Sequence, residues 1–159
     1  MFKILLLALL FNALISAKSV HFMEEKYYAS LDKTISKKGL ISFRNQKIAI
    51  RYDNETRSIE YDGTYLRTYT GKQVKKVNLD QKPAIKMFFM LFESVYFNKT
   101  NTLSSYFDIK KKDHSVTLSP KKNVAQYISS MHYKKEKGKL HFLDIHLANG
   151  DRIHIEEIQ

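Results

Sequence analysis

Apolar and polar positions alternate with a period of two through most of the chain, the pattern of half-buried strands. Tyr27, Ala29, Leu31 and Ile35 alternate with Tyr28, Ser30, Asp32 and Thr34, and Lys37-Lys38-Gly39 reads as the turn that follows. Ile41 and Phe43 continue the alternation. Beyond Asn45-Gln46, Ile48, Ile50 and Tyr52 share one side and Lys47, Ala49 and Arg51 the other. Asp53-Asn54 turns into Ile59 and Tyr61, and Asp62-Gly63 is a hairpin signal. Tyr65 to Tyr69 returns, Thr70-Gly71 turns, and Gln73 to Leu79 runs out. The period then changes. From Pro83, a favoured helix start, Ile85, Phe88, Phe89, Phe92, Val95 and Tyr96 follow helical spacing, and Leu103 to Tyr106 adds a short turn of helix. Strands resume at Phe107 to Lys110, Ser115 to Ser119, Tyr127 to Tyr133, Leu140 to Leu147 and Arg152 to Ile158. The pattern predicts about eleven antiparallel strands interrupted by one apolar helix, a sheet curved around that helix.

The first 17 residues differ from the rest. Lys3 precedes an unbroken apolar run from Ile4 to Phe11, which Ala13, Leu14 and Ile15 extend, and Ser16-Ala17 offers a small-residue cleavage site. The run is shorter than the ~17–25 residues of a membrane-spanning helix. Residues 1–17 are therefore expected to be a cleavable signal peptide, and residues 18–159 a single exported domain, periplasmic in a bacterium. The chain has no cysteine, which excludes disulfides, thiolate metal sites and a lipid-modified cysteine. With 27 Lys and Arg against 16 Asp and Glu it carries +11. Export and the absence of any nucleic-acid-binding motif make nucleic acid a poor match for that charge.

An apolar helix cannot lie on water, so it either fills the inner side of the sheet as a packed core or lids an apolar cavity there. Strand parity groups Ile41, Phe43, Ile48, Ile50, Tyr52, Ile59 and Tyr61 on one face, opposite Phe88, Phe89 and Phe92 of the helix. These ten are the candidate cavity-lining residues.

Catalytic chemistry is not legible. There is no G-x-S-x-G, S-x-x-K or H-E-x-x-H motif and no glycine-rich phosphate loop. His141 and His146 are five apart and face opposite sides of an extended strand unless a bulge intervenes, and His154 lies on the next strand. Solvated histidines, with no metal and no cofactor, are expected. Asp62 is explained by capping its own turn. The expectation is a protein that is not an enzyme.

The run Asp62-Gly63-Thr64-Tyr65-Leu66-Arg67-Thr68-Tyr69 resembles the D-G-x-x-L-[aromatic]-x-Y hairpin of the LolA family of periplasmic outer-membrane lipoprotein carriers. Gly39 to Arg44 is similar to that family's strand from a Gly to an Arg, and Thr117-Leu118-Ser119-Pro120-Lys121 to its L-x-P strand end. The Asn149-Gly150 hairpin falls where the family has its closing strands, and the similarity runs from about residue 27 to 158. The resemblance implies a mainly β (α+β) fold, an incomplete antiparallel β-barrel of about eleven strands lidded by one or two apolar helices. It further implies a monomeric carrier that shields the acyl chains of lipoproteins between the inner and outer membranes. Its partners would be an inner-membrane ABC-type lipoprotein-releasing complex and an outer-membrane acceptor. Arg44 is the lid latch so implied. Its five donors suit it to bonding helix or loop carbonyls.

Alternation of hairpin ends adds one more candidate. It predicts that Lys110, Lys111 and Lys112 share one pole with Lys134, Lys135, Lys137 and Lys139. Such a pole would dock to an anionic membrane or an acidic partner, at roughly 1 kcal/mol per Lys near a membrane. The competing functions are a binding module for another lipid or glycolipid and a basic surface-docking protein without transfer. The lipid bound to the purified protein separates these from a lipoprotein carrier.

Overall fold

The computed structural model describes residues 18–44 and 47–159. The expected signal peptide and the Asn45-Gln46 turn lie outside the described residues. The fold is mainly β, an 11-stranded antiparallel sheet that does not close, with helices packed against one face. The first half comprises β1 (Lys18–Tyr28), β2 (Lys33–Arg44), β3 (Lys47–Tyr52), β4 (Arg57–Tyr61), β5 (Tyr65–Thr70) and β6 (Gln73–Asn78). Two helices follow, α1 (Pro83–Tyr96) and α2 (Thr100–Tyr106). The second half comprises β7 (Phe107–Lys112), β8 (Ser115–Pro120), β9 (Ile128–Glu136), β10 (Lys139–Leu147) and β11 (Arg152–Ile158). Each half is a meander. Pairing of β1 with β11 joins them, and β6 and β7 are left as the free edges. The helices thus bridge the two edges in sequence and cover the inner face, giving an open half-barrel lidded by helices.

The strand boundaries correct the pattern reading in one region. Lys37-Lys38-Gly39 is not a turn: β2 runs through it, and the turn falls earlier, at Ala29–Leu31, where Asp32 takes the left-handed conformation (φ 45°). Segment 18–28, too short for a long amphipathic helix, forms β1 and pairs with β2 along its whole length. Gly39 serves packing. A Cβ there would sit 2.3 Å from the Arg51 carbonyl oxygen and 2.9 Å from the Phe22 ring. The ring of Phe22 therefore occupies the space a side chain would take, and no larger residue fits without backbone movement.

The core lies between the inner face and α1. Phe22, Ile41, Ile48, Leu143 and Ile155 are almost fully buried from the sheet side, and Leu91, Phe92 and Val95 from the helix. A β-bulge between Leu140 and Phe142 restores the inward parity, so that Leu140 and Leu143, three apart, both face the core. Between β4 and β5 the hairpin is built by Asp62. Its Oδ1 accepts from the backbone N–H of Thr64 (3.1 Å) and Tyr65 (2.7 Å), and Oδ2 pairs with Arg67. Burial pushes the Asp62 pKa up, but the Tyr65 N–H, Arg67 and the Thr64 N–H outweigh it and hold it at about 2.

Candidate functional site

The two ends of α1 meet the sheet differently. At the C-terminal end aromatic rings fill the space: Phe43 packs against Tyr96 (centroids 4.6 Å), Phe97 (5.1 Å) and Phe92 (6.0 Å). Midway, Tyr61 stacks on Phe89 at 4.7 Å. At the N-terminal end Ala84, Ile85 and Phe88 of the helix line open space, Phe88 also packing against Phe92. A cavity of about 500 Å³ opens there. Its walls are Ile128, Ile145, Leu147 and Ile153 from β9, β10 and β11, with Tyr127 and the β10–β11 turn at the rim. Such a volume falls within the ~300–1,000 Å³ range of small-molecule sites. Ile85 is 41% exposed at this rim, an unusual position for a large apolar side chain.

Of the ten candidate cavity residues, Tyr52 and Phe88 border this space. Ile41, Phe43, Ile48, Ile50, Tyr61, Phe89 and Phe92 are buried in the core, and Ile59 is partly buried against it. The register stacks these sheet residues in rows, Ile41 opposite Ile50 and Ile50 opposite Ile59, Phe43 opposite Ile48 and Ile48 opposite Tyr61. They share one face, but α1 packs onto most of it.

The charged side of the cavity lies outside the ten candidate residues. Glu24 and Lys26 line it from the inner face of β1, beside Tyr52 of β3. The Tyr52 hydroxyl donates to Glu24 Oε2 at 3.2 Å. Burial raises the Glu24 pKa, while the Tyr52 hydrogen bond and the charges of Lys26 and Lys37 act to lower it. Burial and then the Glu24 charge push the Tyr52 hydroxyl upward in turn. The nearby cations have other partners. Lys37 Nζ lies 2.6 Å from Glu55 Oε1 and over the Tyr52 ring, and Lys26 Nζ lies 4.6 Å above the Tyr28 ring. Alternation of Val20, Phe22, Glu24 and Lys26 is the sequence signal that places Glu24 inward, once the segment is known to be a strand.

Arg44 ends β2 with its side chain exposed, and no described hydrogen bond joins it to a lid carbonyl. Lys135 holds that position instead. Its Nζ donates to the carbonyls of Tyr96 (2.6 Å) and Val95 (3.0 Å) and to Asn98 Oδ1 (3.1 Å). A cation on the last carbonyls of α1 satisfies otherwise orphaned acceptors and complements the helix dipole. Burial and the neighbouring Lys18 lower the Lys135 pKa, against the opposing charge of Glu157.

The remaining candidate lysines gather at that same end. Ser115 pairs with both Lys112 and Lys134, and Lys139 pairs with Glu136 across the next turn. Lys110, Lys111, Lys112 and Lys137 are exposed, and Lys134 and Lys139 half-buried. Strand β10 runs from Lys139 at this pole to Leu147 at the cavity wall, about 26 Å for nine residues. Pole and cavity are at opposite ends.

On the outer face His154 Nδ1 lies 2.6 Å from Asp144 Oδ1, and His141 occupies the β10 bulge near Glu136. Among the described residues no three His, Asp or Glu side chains converge as a metal site. None of the described helices is long and apolar enough to cross a membrane. Compared with known proteins, the chain matches no family model, and no curated protein is similar enough to count as a relative.

Proposed function

We propose that this protein is an exported carrier that shields the acyl chains of a lipid-modified protein from water. The observation that carries the proposal is the cavity under the N-terminal half of α1, walled by Ile128, Ile145, Leu147 and Ile153. Each methylene moved from water into such a space contributes about 0.8 kcal/mol, which is what makes acylated proteins insoluble without a carrier. Apolar walls hold a chain without fixing its register, so cargo can leave by the route it entered. The similarity of the 62–69 hairpin to the LolA family supports lipoproteins as the cargo. Handover between an inner-membrane releasing complex and an outer-membrane acceptor follows from that similarity alone. The basic pole lies at the far end of α1, so docking through it would point the cavity away from the docked surface.

Mass spectrometry of organic extract from the purified protein tests this proposal. A stoichiometric acylated peptide supports the lipoprotein carrier. Phospholipid or glycolipid alone assigns a different cargo, and an extract free of acyl chains counts against the carrier function.

A further inference from the structure

Half-buried Glu24 lines the mostly apolar cavity beside Lys26 and Tyr52, with part of its hydrogen-bonding capacity unspent. An ionised carboxylate offers about four acceptor positions. Among the described residues only the Tyr52 hydroxyl uses one, on Oε2. The nearest cations do not close the site, since Lys37 is engaged by Glu55 and Lys26 is held over Tyr28. Even partial burial of a carboxylate without a full set of partners costs free energy, and a partner arriving with a ligand would recover it. Along β1 the side chain lies on the same face as Phe22, which the core covers, and Lys26, which borders the cavity. Glu24 is thus placed where the packed core gives way to the open space.

We infer that Glu24 is a receptor for the primary ammonium group of an acyl-chain amphiphile. The ammonium sits on Glu24 Oε1, and the acyl chain lies against Ile145, Leu147 and Ile153. The inference rests on the carrier function proposed above and adds a head-group chemistry to it. Two sources supply that chemistry, the free α-amine of a diacylated lipopeptide and the head group of a phosphoethanolamine lipid. Both carry a primary ammonium a few bonds from the acyl chains. Tyr52 holds the carboxylate in place, so Glu24 is pre-oriented before the ligand enters.

Calorimetric titration with two matched pairs of probes tests this. One pair is lysophosphatidylethanolamine and lysophosphatidylglycerol of equal chain length. The other is a diacyl lipopeptide with a free α-amine and its N-acetylated form. The expected result is about tenfold or tighter binding of the ammonium-bearing member, the size of a charge-assisted hydrogen bond. In Glu24→Gln, whose amide oxygen still accepts from Tyr52, that preference disappears while the melting temperature at neutral pH holds or rises. A purely structural Glu24 would instead lower the melting temperature and leave the preference intact, which overturns the inference. Preference in the lysolipid pair alone assigns the phosphoethanolamine source, and preference in the lipopeptide pair alone the lipoprotein amine. Saturable binding of all four probes without preference overturns the head-group inference and leaves the carrier standing. No binding of any acyl probe overturns both.

Discussion

One helix covers two very different floors. Under its C-terminal half Phe92, Tyr96 and Phe97 meet Phe43, with ring centroids 4.6–6.0 Å apart. Under its N-terminal half Ala84 and Ile85 face aliphatic walls across about 500 Å³ of open space. The difference lies in side-chain size. At the anchored end aromatic rings span the gap between helix and sheet, whereas N-terminal to Phe88 the helix offers only Ala84 and Ile85. A lid built this way is anchored at one end and leaves room at the other, with Lys135 fastening the anchored end.

That comparison is easiest to break at the anchored end. Phe92→Ala is expected to cost about 3–5 kcal/mol, read from the denaturation midpoint in urea, because the site is closed on all sides and collapses poorly. A loss below 1 kcal/mol would mean that this half is loosely packed as well. Lys135→Gln should cost about 1–2 kcal/mol, discounted from a fully buried charged bond because the side chain is half-exposed. The distinguishing readout is faster amide exchange over the last turn of α1, with its first turn unchanged.

A smaller effect is expected at the hairpin that delivers Tyr61 to Phe89. Asp62→Asn should cost about 1 kcal/mol at neutral pH. The folded Asp62 pKa of about 2 lies below its ordinary 3.8, so its contribution is complete above the unfolded value. It is lost as pH falls from about 4 to about 2, where wild type and variant should converge. A gap that persists below pH 2 would assign the loss to turn geometry instead of charge. The smallest change in stability is expected from Ala84→Trp, within about 0.5 kcal/mol, since the new ring enters space that is already open.

The comparison also marks what was legible in the sequence. Alternation from Ile41 to Tyr61 predicts which side chains share a face, and the 3.6-residue spacing of Phe88, Phe89 and Phe92 predicts the helix against it. Neither pattern says where the filling stops, because that depends on the distance between helix and sheet. Lys135 shares parity with Met131 and Tyr133, so its inward direction was readable, but the cluster of neighbouring lysines directs attention to the surface. Gly39 reads as a turn residue because it follows two lysines. Its role is set by the Phe22 ring and the Arg51 carbonyl, from strands on either side of β2, contacts no local pattern contains. Glu24 is not legible before β1 is, since strand pairing to β2 and β11 is what makes 18–28 a strand.

The open half of the floor is the central claim, and calorimetric titration of wild type and Ala84→Trp with one long-chain lysolipid tests it most directly. The account predicts saturable one-to-one binding by wild type with a negative heat-capacity change, the mark of apolar burial. It predicts that Ala84→Trp, equally stable, binds at least about tenfold more weakly because the ring occupies the chain's place. Equal binding by the two proteins, or no saturable binding by wild type, would contradict it.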